Sequence, residues 1–236
     1  MGKGGDAGTI SIKADQLYVS QKGVISSQSI SELGKAGDIA LESSDLKIDS
    51  RSVISVKSEK YDGGSIQIAS VDKINISNSV LNAQAAVNGG NINITEADSV
   101  YIKHCDLNSE SKQNGGNINV SSPNTVVLQE SHISANAIFG NGGDIKIIAN
   151  GYLPSLGSVV TASSEYGVQG DIEINTPESN LTSSLVTLPD KIKDDSVKLV
   201  DRCTFNLSGE ISSFFIKGQG GLPIWSRENL LPNSPR

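Results

Sequence analysis

Gly89-Gly90-Asn91-Ile92-Asn93-Ile94 is answered 26 residues later by Gly115-Gly116-Asn117-Ile118-Asn119-Val120, and 27 residues after that by Gly142-Gly143-Asp144-Ile145-Lys146-Ile147. In both directions the same pattern continues: glycine, a small or polar residue, Ile, any residue, then an aliphatic. It starts at Gly8, Gly37, Gly64, Gly90, Gly116, Gly143 and Gly170, with spacings of 29, 27, 26, 26, 27 and 27. A sustained period of this length marks a repeat architecture. Two places after each glycine stands Ile10, Ile39, Ile66, Ile92, Ile118, Ile145 or Ile172, and four places after it Ile12, Leu41, Ile68, Ile94, Val120, Ile147 or Ile174. Alternation with period two belongs to a strand with one buried face.

A second register lies seventeen places after the first six glycines, at Ile25, Ile54, Leu81, Leu107, Ile133 and Val160, followed two places on by Ser27, Val56, Ala83, Ser109, Ala135 and Ala162. Between the registers a middle segment alternates too, as in Leu46-Lys47-Ile48, Ile74-Asn75-Ile76 and Val100-Tyr101-Ile102, with an offset that drifts by a residue or two. Each unit is therefore expected to hold three short strands. The turns are rich in Gly, Asn, Asp and Ser, which adopt positive φ or bond nearby backbone, and the doublets from Gly63-Gly64 to Gly142-Gly143 mark the sharpest corner. Three strands in about 27 residues, with no helical period between them, fit one coil of a single-stranded, right-handed parallel β-helix. A leucine-rich repeat has a similar length, but its Leu spacing, fixed Asn and helical outer segment are missing. The fold class is thus all-β, a solenoid of about six coils with an irregular C-terminal cap.

Composition supports this and narrows the partners. Among 236 residues aromatics make up 4% while Gly supplies 24, so the core must be aliphatic and packed close to a turning backbone. A net charge of -7 works against a phosphate-binding surface, and nucleic acid is not expected as a partner. Cys105 and Cys203 form no framework and no paired metal-ligand spacing. No apolar run is long enough to span a bilayer, so membrane insertion is not expected, and the chain opens without a signal-peptide pattern.

The repeats occupy residues 1–174, and residues 175–236 form a capping or tail segment of different composition. In the tail, Pro189-Asp190 could open a short helix with Ile192, Ser196, Leu199, Val200 and Cys203 on one face, and Ile211 to Ile216 has strand character. A solenoid needs a cover over its last coil, and this segment is the candidate.

Coils and tail together resemble the secreted filamentous-haemagglutinin-like exoproteins of bacterial two-partner secretion, particularly their C-terminal part. The Gly-Asn-Ile-x-Ile and Gly-Asp-Ile-x-Ile units carry part of the likeness. Leu181-Thr182-Ser183-Ser184-Leu185, Leu188-Pro189, Cys203, Ser212-Ser213-Phe214 and Gly218-Gln219-Gly220-Gly221-Leu222-Pro223 carry the rest. The resemblance implies a structural stalk or adhesive segment of a large adhesin, secreted or displayed on the bacterial surface, with glycans or proteins of a host or bacterial surface as partners. It also implies an outer-membrane transporter for the full-length parent. The family's N-terminal secretion domain is not found in this sequence, so the expectation is a fragment of such a parent, with no export signal of its own.

Right-handed β-helices also serve as polysaccharide lyases and hydrolases, which is the alternative function. Such an enzyme needs an acid and a base close together on one outer sheet. On the first strand, three places after each glycine, stand Ser11, Ala40, Gln67, Asn93, Asn119, Lys146 and Glu173, with no acid pair. One place after each glycine stand Thr9, Asp38, Ser65, Asn91, Asn117, Asp144 and Asp171, so Asp144 should stack near Asp171. The two are a carboxylate pair, or they are turn residues bonding backbone; Asn, Ser and Thr in the same column favour the second. His104 and His132 fall fourteen and sixteen places after their glycines, in different columns. Cys105 shares its column with Gly23, Ser52, Ser79, Ser131 and Ser158, a tight packing position and not that of a nucleophile. Gly142-Gly143-Asp144 lacks the further Gly and Asp of a calcium nonapeptide repeat. The sequons at Asn75, Asn93, Asn119, Asn180 and Asn206 are expected by chance in so Asn- and Ser-rich a chain. No catalytic residue, cofactor or metal is expected, and the chain reads as a non-enzyme.

Overall fold

The structure is a computed structural model that describes residues 5–29 and 34–177. The helix and strand expected between Pro189 and Ile216, and nearly all of the 175–236 segment, lie outside the described residues.

The described residues build a parallel β-helix. One sheet has ten strands and the other six, and every strand pair is parallel. Ile10, Ile39, Ile66, Ile92, Ile118, Ile145 and Ile172 pair in unbroken succession, as the glycine register requires. In the second sheet Ile25, Ile54, Leu81, Leu107, Ile133 and Val160 do the same.

Three separate strands per coil is corrected in the first half of the solenoid. There the first and middle segments are one continuous strand, Ile10–Val19, Ile39–Ile48 and Ile66–Ser77. From the fourth coil they separate, into Ile92–Thr95 and Ser99–Lys103, then Ile118–Ser121 and Thr125–Gln129, then Ile145–Ile148 and Gly151–Pro154. The drift in offset has a local source. Ser43 pairs with Ser70 but Asp45 pairs with Lys73, so the third coil carries one extra residue at a bulge. The short third strands, from Val24–Ser26 to Val159–Thr161, make the six-stranded sheet.

Stacking puts the aliphatic columns inside. Ile39, Ile66, Ile92, Ile118 and Ile145 are fully buried, with Leu41, Ile68, Ile94, Val120 and Ile147 beside them. Each such side chain contributes about 1.5–3 kcal/mol of transfer free energy. Ile172 and Ile174, in the last described coil, are 40% and 41% exposed, because among the described residues they have a neighbouring coil on one side only.

The two kinds of corner work differently from what the turn composition suggests. At the glycine doublets no φ is positive; the glycines are there for close approach. A Cβ on Gly64, Gly90, Gly116 or Gly143 would collide with the carbonyl oxygen of the repeat glycine one coil earlier. Each coil closes there: the N–H of Gly90, Gly116, Gly143 and Gly170 donates to the carbonyls of Ala83, Ser109, Ala135 and Ala162 at 2.7–2.8 Å. Left-handed residues sit instead at the corner before the third strand, where Arg51, Asn78, His104 and Glu130 have φ of 63°, 47°, 49° and 45°, with Glu96 at 70° between the first and middle strands of its coil. Just inside that corner runs the serine column, whose hydroxyls donate to carbonyls of the turn, as Ser79 does to Ser77 and Ser131 to Gln129, both at 2.8 Å.

Candidate functional site

The residues singled out for chemistry are mostly absorbed into these ladders. Asp144 Oδ1 accepts the backbone N–H of Asp171 at 3.0 Å, as Asp38 does for Ser65, Asn91 for Asn117 and Asn117 for Asp144. The column binds backbone across coils, which is the turn-residue role. Cys105 is buried; its Sγ lies 3.0 Å from the Lys103 carbonyl and its N–H donates to Ser131 Oγ at 3.0 Å. Burial pushes its thiol pKa up, the wrong direction for a nucleophile. His104 Nε2 lies 3.0 Å from Glu130 Oε2 at the left-handed corner, while His132 belongs to the second sheet. On the first sheet Lys146 meets Glu173 at 2.8 Å, in register.

A second amide ladder escaped notice in the sequence. Asn88 Nδ2 donates to Asp62 Oδ1 and Asn114 Nδ2 to Asn88 Oδ1, each at 2.8 Å, and Asn114 Oδ1 then accepts the Asn141 N–H at 3.0 Å. Partial desolvation pushes the Asp62 carboxyl up, but hydrogen bonds from Lys35 and Asn88 outweigh it and hold the pKa below its ordinary value. The signal was present: the residue before each doublet reads Asp62, Asn88, Asn114, Asn141. Asn114→Ala removes two of these bonds and is expected to cost about 1–2 kcal/mol in urea denaturation. Asp144→Asn keeps the acceptor oxygen and should leave the midpoint unchanged.

The place where functional groups converge is the outer face of the six-stranded sheet. Its outward columns lie sixteen, eighteen and twenty places after the glycines. The first reads Val24, Val53, Val80, Asp106, His132 and Val159, and His132 Nδ1 is 3.4 Å from Asp106 Oδ1. The second reads Ser26, Ser55, Asn82, Asn108, Ser134 and Thr161. In the third stands Glu110, half-buried, whose Oε1 accepts from Ser134 Oγ and, at 3.1 Å, from Asn136 Nδ2. Its Oε2 accepts from Gln84 Nε2 and Asn108 Nδ2, both at 3.4 Å. Four donors hold this one carboxylate. A shallow hollow of about 330 Å³ lies on the strand side of Glu110, lined also by Asp106 and His132, and a longer groove of about 550 Å³ lies on the loop side. Among the described residues no three His, Cys, Asp or Glu side chains are grouped to hold a metal ion.

Asp106 and Glu110 lie outside the first strand's outward columns, on and just after the third strand. Counting sixteen and twenty places from each glycine finds them. Compared with family models, curated proteins and solved structures, the chain matches none of them.

Proposed function

We propose that this chain is a rigid stalk segment of a large bacterial adhesin of the filamentous-haemagglutinin-like kind, secreted or held at the cell surface, with weak binding contacts repeated along its outer face. The observation that carries this reading is the unbroken register of both sheets: every coil pairs with the next through backbone and side-chain ladders, the construction of a stiff one-dimensional solenoid. Amides and hydroxyls fill most outward positions. Repeated weak hydrogen bonds along a rod sum through multivalency, with no deep pocket and no cofactor required. The resemblance of the repeats and tail to that exoprotein family supports the same assignment, with an outer-membrane transporter serving the full-length parent.

A second reading, a carbohydrate-active enzyme, is favoured by one observation, the shared hollow of Asp106, His132 and Glu110. Against it, the Glu110 carboxylate is already occupied by four donors. The test is twofold. The intact parent should be recovered from surface and culture fractions, and the purified chain should leave pectin, alginate and glucans uncleaved. Sustained cleavage of any of these, abolished by Asp106→Asn or Glu110→Gln, would establish the enzyme and overturn the stalk.

A further inference from the structure

The groove on the loop side of Glu110 has a definite construction. Its floor is a column of small residues, Ser58, Ala85, Ser111 and Ala137, which pair coil to coil as parallel bridges. Their coil-to-coil pairing engages the backbone of the floor with neighbouring coils, so the floor is not a free sheet edge for an added peptide strand. One side of the groove is polar, carrying Gln84, Glu110 and Asn136. The other side alternates charged and apolar residues coil by coil, Glu59, Ala86, Lys112 and Ile138. Its four charged side chains, Lys57 and Lys112 against Glu59 and Glu110, sum to no net charge, so it does not favour an anionic over a cationic ligand by overall charge. The groove runs along the solenoid axis over four coils, about 14 Å at the spacing of paired strands.

We infer that this groove binds an unbranched neutral polysaccharide lying parallel to the solenoid axis. The inference rests on the stalk reading and gives its binding face a place and a ligand class. Sugar rings present exactly two kinds of surface, a ring of C–H bonds and a rim of hydroxyls that both donate and accept. Ala86 and Ile138 match the first. Gln84 matches the second: its amide donates to Glu110, which sets its orientation before a ligand arrives, while Glu110, held by its four donors, acts as the anchor and not as a ligand group. Directly after Ile138 comes Phe139, 59% exposed and stacked on Tyr166, 69% exposed, with ring centroids 5.7 Å apart and planes 14° off parallel. This aromatic step, which runs from the last coil of the groove to the next one beyond it, is further apolar surface of the kind a C–H face covers.

The experiment is titration calorimetry of the full chain with neutral β-1,4-linked hexasaccharides of glucose and of mannose, and with a sulfated hexasaccharide as the anionic arm. At least one neutral hexasaccharide should bind, and the sulfated one should bind more weakly. Glu110→Gln places an NH₂ among four donors, breaks the network and should weaken binding about tenfold or more. Ala86→Trp fills the groove without touching the network and should abolish binding while circular dichroism stays β-rich, so a folding failure of the first variant leaves the test intact. Asp144→Asn, away from the groove, should bind as the parent does. No neutral binding, tighter binding of the sulfated sugar, or full binding by a folded Ala86→Trp variant would each overturn the groove's assignment. The stalk reading fails separately, by cleavage of polymer or by absence of the parent from surface and culture fractions.

Discussion

Ile118→Asp should unfold the coils around it, lowering stability by about 3–5 kcal/mol and the thermal midpoint steeply. Ile118 is fully buried between Ile92 and Ile145, and the stack has no cation or donor to receive a carboxylate. In a solenoid each coil depends on its neighbours, so the damage spreads along the axis, and amide exchange should be fastest in the coils on either side. Cys105→Ser is the matched control at an equally buried position. A serine there would donate to the Lys103 carbonyl as Ser131 donates to that of Gln129, and its melt should superimpose on the parent's within about 0.5 kcal/mol. A parental melt for Ile118→Asp, or a collapsed one for Cys105→Ser, would mean that the columns are wrongly registered.

The second large effect is expected from a single methyl group. Gly116→Ala places a Cβ against the carbonyl oxygen of Gly90 and the hydroxyl of Ser109, and the first of these is backbone that cannot rotate away. Relief requires the two coils to separate, at about 1–3 kcal/mol or more, and separation also strains the bond from the Gly116 N–H to the Ser109 carbonyl. Gly8→Ala, at the equivalent position in the first coil, meets no atom within 4 Å and should be neutral. Equilibrium urea unfolding of the two variants decides the matter, because the same substitution in the same column should give opposite outcomes. Equal midpoints would show that the doublet glycines are not held in close approach.

The contrast between Ile118 and Gly116 also shows what was legible in the chain. That Ile118 faces inward follows from alternation alone, and its partners Ile92 and Ile145 follow from counting 26 and 27 residues away. The doublet glycines were recognised as a corner, yet the reason for them was not. They suggested positive φ, but left-handed residues such as Asn78, His104 and Glu130 sit at other corners, while the glycines let backbone touch backbone. A local propensity names the residues able to make a turn, and crowding between successive coils selects which of them is needed where.

Asp144 and Glu110 divide in the same way. The sequence by itself determined the period, the inward faces and the columns of the first and third strands, because in a parallel solenoid a residue's neighbour along the axis lies one repeat away in the chain. For Asp144 that was sufficient: Asn and Asp recur in its column, and Asp38, Asn91, Asn117 and Asp144 each accept the next backbone N–H. Glu110 is held by residues of neighbouring columns and neighbouring coils at once, Gln84, Asn108, Ser134 and Asn136. Contacts between columns depend on the angle at which the chain leaves the third strand, and no spacing in the sequence encodes that angle. Only the tertiary structure decided that these side chains converge on one carboxylate beside an open groove, since close packing of successive coils sets the angle of the corner.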